Sequence, residues 1–103
     1  MSRSLGVTTV LILTALDRGV CYGLDIVNRT GMLPGTVYTT LRRLERRGFI
    51  AGQWEDAEIA ESERRPRRRY YEVTPAGAEA LTKAHAHFEA LGVDVAARIS
   101  PAS

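Results

Sequence analysis

The chain has 103 residues, 45% of them hydrophobic and 25% charged. That length holds one hydrophobic core, and that composition excludes disorder and collagen. A single cysteine, Cys21, excludes an internal disulfide and a cysteine-based zinc site, and a formal charge of +2 does not by itself point to nucleic acid.

Ser4 is placed to cap a first helix running through Val7, Val10, Leu11, Thr14 and Leu16, with Gly19 just past its end. The 7, 10, 11, 14 spacing puts these residues on one helical stripe. The apolar segment is far short of the ~20 residues that span a bilayer, so no membrane association is expected. Asp17-Arg18-Gly19 follows it where a secretory signal would carry small residues, so a cytoplasmic location is expected. A second short helix fits Gly23 to Arg29, stopped by Thr30-Gly31.

The third helix has the clearest pattern. Pro34 suits its first turn, Val37, Leu41 and Leu44 mark a buried stripe, and Gly48 ends it. Gly35, Thr39, Arg42 and Arg46 lie roughly opposite that stripe, with Thr36 and Arg43 beside them. Phe49–Trp54 and Arg69–Val73 read as paired strands, joined by a long connection from Glu55 to Arg68 in which mobility is expected. Thr74-Pro75 opens a last helix whose seam, Leu81, Ala84, His85, Phe88, Leu91 and Val95, repeats near every 3.5 residues before fraying ahead of Pro101.

The distribution of charge says more than its sum. Thirteen of the fourteen basic residues are arginine, and nine of those fall between residues 42 and 72. They form two clusters, Arg42, Arg43, Arg46 and Arg47, then Arg64 to Arg69 interrupted by Pro66. An acidic stretch lies between them, with Glu55, Asp56, Glu58, Glu61 and Glu63 either folding outward or screening the second cluster.

Helix, helix, short turn, helix, then a two-stranded hairpin is the order of a winged helix-turn-helix: mostly α with a small β-hairpin, plus a C-terminal dimerisation helix. In that arrangement the third helix enters the major groove of double-stranded DNA with its first turns against base edges. Gly35 permits close backbone approach, and the free N–H groups of the helix start can receive a phosphate. Thr36, Thr39 and Thr40 are short enough to read edges, whereas Arg42, Arg43, Arg64, Arg65, Arg67 and Arg68 supply backbone affinity. Residues 1–74 are expected to form the DNA-binding part and residues 75–103 the dimerisation helix of the same unit. A terminal apolar seam must be covered. Pairing with the first helix of a second copy would bury Val7, Val10, Leu11 and Thr14 against Leu81, His85, Phe88, Leu91 and Val95.

Several linked motifs also resemble one family. Tyr22-Gly23-Leu24-Asp25-Ile26, Pro34-Gly35-Thr36-Val37-Tyr38, Leu41-Arg42-Arg43-Leu44-Glu45 with Gly48-Phe49-Ile50, and Arg67-Arg68-Arg69-Tyr70-Tyr71-Glu72-Val73-Thr74-Pro75-Ala76-Gly77 look like the PadR family of bacterial transcriptional regulators. The resemblance covers about residues 5–82. It implies a winged-helix homodimer that usually represses transcription from a roughly palindromic operator. It also implies that Gly35, Thr36 and Tyr38 belong to the recognition helix, and Arg67 and Arg68 to the wing. Family members often carry proline after the motif tyrosine, and this chain has Thr39 there, a departure that bears on base preference. The short C-terminal part resembles the compact branch of the family.

The remaining candidates have plainer readings. Tyr38 sits beside the core stripe, where it either packs against the wing or touches phosphate. Tyr22 is expected to pack, Tyr70 and Tyr71 to face opposite sides of a strand, and Trp54 to pack the wing against the helical core. Asp25 and Glu45 are expected as salt-bridge partners, and Cys21 as a bland thiol. His85 and His87 lack the i, i+4 spacing of a helical metal site. No cofactor, metal or catalytic group is expected, and an enzyme is disfavoured. The alternative to a DNA-binding regulator is a winged-helix module that docks protein. A small hydrophobic or aromatic effector is compatible with the regulator, provided it binds the two dimer states differently.

Overall fold

Seven consecutive residues of the first helix, Val10–Leu16, are buried, so this helix is covered all round and not along one stripe. The structure, a computed structural model, describes residues 5–99. Helix α1 (Val7–Asp17) is the central element, touching α2 (Gly23–Thr30), α3 (Pro34–Arg46), the wing and the C-terminal helix. A helix apolar on every side has to be wrapped by its own chain or by another. Gly6 occupies its N-cap position with no side-chain cap, while the expected Ser4 cap and the fraying before Pro101 lie outside the described residues.

The local punctuation follows the sequence. Gly31 takes a left-handed conformation (φ 72°) and its N–H bonds to Val27 O at 2.9 Å, stopping α2. Pro34 opens α3, and beyond the helix Gly48 (φ 76°) turns the chain so that Phe49 N donates to Leu44 O at 3.0 Å. Strands β1 (Ile50–Trp54) and β2 (Arg69–Val73) pair antiparallel, with Ile50 opposite Val73 and Trp54 opposite Arg69. The loop before α2 adds a partial third strand: Tyr22 bridges Tyr70, and Tyr71 N donates to Cys21 O at 2.8 Å.

The connection between the strands is not the irregular loop expected. It folds into a short helix, α4 (Ala57–Ser62), capped by Asp56, whose carboxylate accepts from Glu58 N at 2.8 Å. The four acidic residues Asp56, Glu58, Glu61 and Glu63 are exposed on this excursion. Ala60 packs beneath them.

Helix α5 (Pro75–Ala90) begins as expected. Thr74 Oγ1 accepts from Gly77 N at 3.1 Å and donates to Gly48 O at 2.6 Å, tying the helix start to the end of α3. Gly77 lies so close to Phe49 that any Cβ there would collide with its carbonyl oxygen. The end of the helix departs from the expected seam. It stops at Ala90, Gly92 (φ 76°) reverses the chain, and a 3₁₀ turn at Ala96–Arg98 brings Val95 and Ile99 into the core.

This fold-back corrects the expected dimer surface. Val10, Leu11, Thr14, Leu81, Phe88 and Val95 are each at most 7% exposed in the single protomer, covered by its own chain. The reason is the all-round apolarity of α1, which recruits α5 and the final turn as its own cover. Thr14 donates to Val10 O at 2.7 Å, leaving its oxygen to accept from His85 Nε2 at 3.0 Å, so His85 also joins α5 to α1. Val7 is half-buried, and only Leu91 of the expected set stands open, at 63% exposure.

Candidate nucleic-acid interface

Helix α3 separates two faces by period. Val37, Thr40, Leu41 and Leu44 are buried at the i, i+3, i+4, i+7 positions. Gly35, Thr36, Tyr38, Arg42, Arg43, Arg46 and Arg47 are exposed, with Thr39 half-buried. Thr40 was expected among the edge-reading threonines, but it is only 7% exposed and belongs to the core stripe. Its side chain lies in the crevice that also contains Thr9 of α1 and Arg43. Thr36 and Thr39 keep the open face, and Arg42 Nη2 reaches Thr39 Oγ1 at 3.4 Å.

The start of α3 favours anions. It has no acidic residue in its first turn and no side-chain cap, so its N–H groups and the positive end of its dipole face solvent. Arg42, Arg43, Arg46 and Arg47 form no ion pair among the described residues, leaving their charge uncompensated.

The wing arginines divide by task, and the divider is Glu55. This carboxylate is buried, accepting from Arg65 Nη1 at 2.6 Å and Nη2 at 2.7 Å, from Arg68 N at 3.2 Å and from Tyr70 Oη at 3.2 Å. The Arg65 fork, above all, holds the Glu55 carboxyl down at about 2, against the opposing effect of burial. Arg65 is itself raised by Glu55 and also pairs with Glu63 at 2.6 Å. Arg65, expected to meet phosphate, is therefore consumed by holding the wing together. A planar guanidinium matches a carboxylate in this two-point way, which lysine does not.

Glu55 neither folds outward nor screens the cluster; it points inward and organises it. The signal for this was in the hairpin register. With Trp54 opposite Arg69, the next residues, Glu55 and Arg68, must meet, and Glu55 N donates to Arg68 O at 2.8 Å. Arg67 Nε is anchored on Glu55 O at 2.9 Å while the rest of its side chain is exposed. Arg64 is also exposed, at a turn with φ 55°. Arg68 lies 4.2 Å from the Tyr22 ring centroid, and Arg69 pairs with Glu45 at 2.7 Å.

Among the aromatic residues, Trp54 departs from expectation. Trp54 does not pack the wing on the core; it is 55% exposed, with Arg69 and Arg67 at 5.4 and 5.8 Å from its ring centroid. It shares the hairpin face of Ile50, Tyr71 and Val73, but lies at the far end of the strand, beyond the reach of the core. Tyr22 packs edge-on to Tyr70 at 5.7 Å. Tyr38 is 41% exposed and lies against Gly23, where a Cβ would strike its ring. Glu45 and Asp25 are ion-paired, the latter to Arg29 at 3.0 Å. Tyr38 of α3 and Arg67 and Arg68 of the wing line one cleft, which places the two basic elements on a common side.

No helix among the described residues is long and apolar enough to cross a membrane, and no cluster of three His, Cys, Asp or Glu there is arranged to hold a metal. The fold has clear counterparts. A PadR family transcription regulator from Clostridium difficile has a TM-score of 0.73 at 25% identity, covering 84% of this chain and 92% of its own. A PadR family regulator from Eggerthella lenta gives 0.70 at 27% identity, with 84% and 76% covered. BpsR of Bordetella bronchiseptica, whose DNA binding is regulated by 6-hydroxynicotinic acid, gives 0.69 at 26% identity, with 86% and 63% covered. No curated protein matches the chain. The Transcriptional regulator PadR-like family matches residues 12–83, the span from α1 through the wing into α5 that carries α3 and the Glu55-organised arginines; the chain belongs to that family.

Proposed function

We propose that this chain is a homodimeric repressor that binds a pseudo-palindromic operator in double-stranded DNA. The observation that carries the reading is the cleft shared by Tyr38 of α3 and Arg67 and Arg68 of the wing, flanked by the unpaired arginines of α3. Thr36 and Thr39 read base edges. Arg42, Arg43, Arg64, Arg67 and Arg68 bind the phosphate backbone, and Gly35 lets the helix start approach it. Two copies meet through a surface that includes Leu91, the large apolar residue that the fold-back leaves open on the C-terminal side. A small aromatic or hydrophobic effector releases the operator, a reading supported by the regulation of BpsR by an aromatic acid.

The test is fluorescence-anisotropy titration with DNA from upstream of the chain's own gene and a scrambled control, at low and at physiological salt. Selective binding that persists at physiological salt, at one protomer pair per site, is expected. Equal binding to both DNAs that vanishes with salt would sink the reading and favour a module that docks protein.

A further inference from the structure

We infer that the crevice between α1 and α3 is a binding site for a phosphate group, free or esterified. The crevice has a volume of about 310 Å³ and is lined by Thr9, Thr40, Arg43, Leu44, Arg46 and Arg47, with no acidic residue among them. Thr40 and Tyr38 are two residues apart on one helix, so this flank of α3 is nearly opposite the one that lines the wing cleft. The observation that points to a ligand is the hydroxyl of Thr40. Thr14, Thr30 and Thr82 each donate to the carbonyl four residues back, at 2.7, 2.6 and 3.0 Å. Thr40 is only 7% exposed, yet its side chain makes no such bond and has no other polar partner among the described residues. No side-chain oxygen or nitrogen among the described residues is sealed in without a partner, so the Thr40 hydroxyl opens to the crevice. A hydroxyl taken from water costs free energy until something accepts from it.

The charges select the occupant. Arg43, Arg46 and Arg47 form no ion pair among the described residues, and Glu45, the acid within their own run, is turned to Arg69 of the wing. Three like charges around one crevice repel, and an anion between them relieves that repulsion. The Arg47 guanidinium lies 4.7 Å from the Phe49 ring centroid, a contact that restrains it without using its N–H donors. Two hydroxyls and three guanidinium groups offer donors from several directions, which a tetrahedral oxyanion accepts more fully than a planar carboxylate. No aromatic ring lines the crevice, so a stacking ligand finds no partner there. Arg43 is shared with the proposed backbone contacts; Thr9, Thr40, Arg46 and Arg47 are not among them. Phosphate binding in the crevice therefore stands apart from the DNA-binding reading, and only the source of the phosphate touches it.

Inorganic phosphate titrated into the whole chain at constant ionic strength is expected to shift the amide resonances of Thr9, Thr40 and Arg47 saturably, where sodium chloride does not. Thr40→Val keeps the charge and the shape and should weaken phosphate about fivefold, a change that diffuse accumulation of anions would not show. Arg47→Ala, on an exposed side chain, should weaken it about tenfold, while Lys83→Ala on α5 leaves it unchanged. Shifts that do not saturate, that chloride reproduces, or that survive both crevice substitutions mean an adventitious ion only and overturn the site. In a second arm, DNA from upstream of the chain's own gene separates the sources. Crevice resonances that move with DNA and then no longer respond to phosphate assign the occupant to the DNA backbone. Resonances that still respond to phosphate in the DNA-bound chain assign it to a free phosphate-bearing molecule. A chain that binds no DNA refutes the repressor reading, and the first arm then decides the site alone.

Discussion

Seven neighbouring residues of α1 are buried with no charge among them, whereas the wing from Glu55 to Arg69 is held by guanidinium and carboxylate groups around a single buried acid. The two regions solve the same problem, fixing a short segment, with opposite chemistry. Apolar burial around α1 is non-directional and roughly additive in area, contributing about 1.5–3 kcal/mol for each fully buried large aliphatic side chain. The wing has Ala60 as its buried apolar residue between the strands, so its shape depends on the fork geometry of Arg65 on Glu55. The difference teaches why the molecule keeps charge in the wing. On the proposed DNA-binding reading, a segment that presents arginines to a polyanion cannot bury them, and an internal acid lets some of the arginines hold the others in place.

The comparison breaks most visibly in the core. Leu41→Ala removes a fully buried side chain from the α1–α3 contact and should cost about 2–5 kcal/mol in urea unfolding. That loss should be the same at low and high salt, because no charge is involved. A strongly salt-dependent loss would mean that core and wing are not separately held.

Glu55→Gln removes the charge and keeps the shape of the side chain. Trypsin cleavage within Arg64–Arg69 should become several-fold faster, while the urea midpoint moves less than in Leu41→Ala. Equal shifts in both measurements would show the wing to be part of the global cooperative unit. Acid sharpens the same point. Glu55 falls from 4.5 to about 2 in the folded chain, and a carboxylate lowered on folding contributes stability above its unfolded value. Its contribution is whole near neutrality and is lost as pH falls from 4.5 towards 2. Wing protection, read by amide hydrogen exchange of residues 55–69, should therefore fall in that window in the native chain and be lower, with no such step, in Glu55→Gln.

The smallest effects separate two threonines of one helix. Thr36→Val should change discrimination at one operator position by about 1–3 kcal/mol, read by competition between single-base variants. Thr40→Val, on the buried side of α3, should leave base preference unaltered. A preference change at Thr40 would require the recognition helix to rotate on binding.

Much of this was legible without the structure. The order of elements, Pro34 and Pro75 at helix starts, Gly31 and Gly48 at helix ends, the strand pair and the arginine face of α3 depend on interactions within four residues or on one hairpin register, and the chain carries those locally. The family motifs were legible for the same reason, since they are runs of adjacent residues. What only the tertiary structure decided was which partner each face meets. Thr40 is small and ambivalent, so period alone left it between core and DNA until α1 covered it. Val10, Leu11, Leu81 and Phe88 read as a seam for a second copy because periodicity marks a face as apolar without naming its cover; the reversal at Gly92 supplies that cover in the same chain. Glu55 looked like one of five acids in a solvated stretch, and a contact ten residues away turned it into the centre of the wing. Local periodicity specifies that a face must be buried or solvated; the long-range path of the chain decides against what.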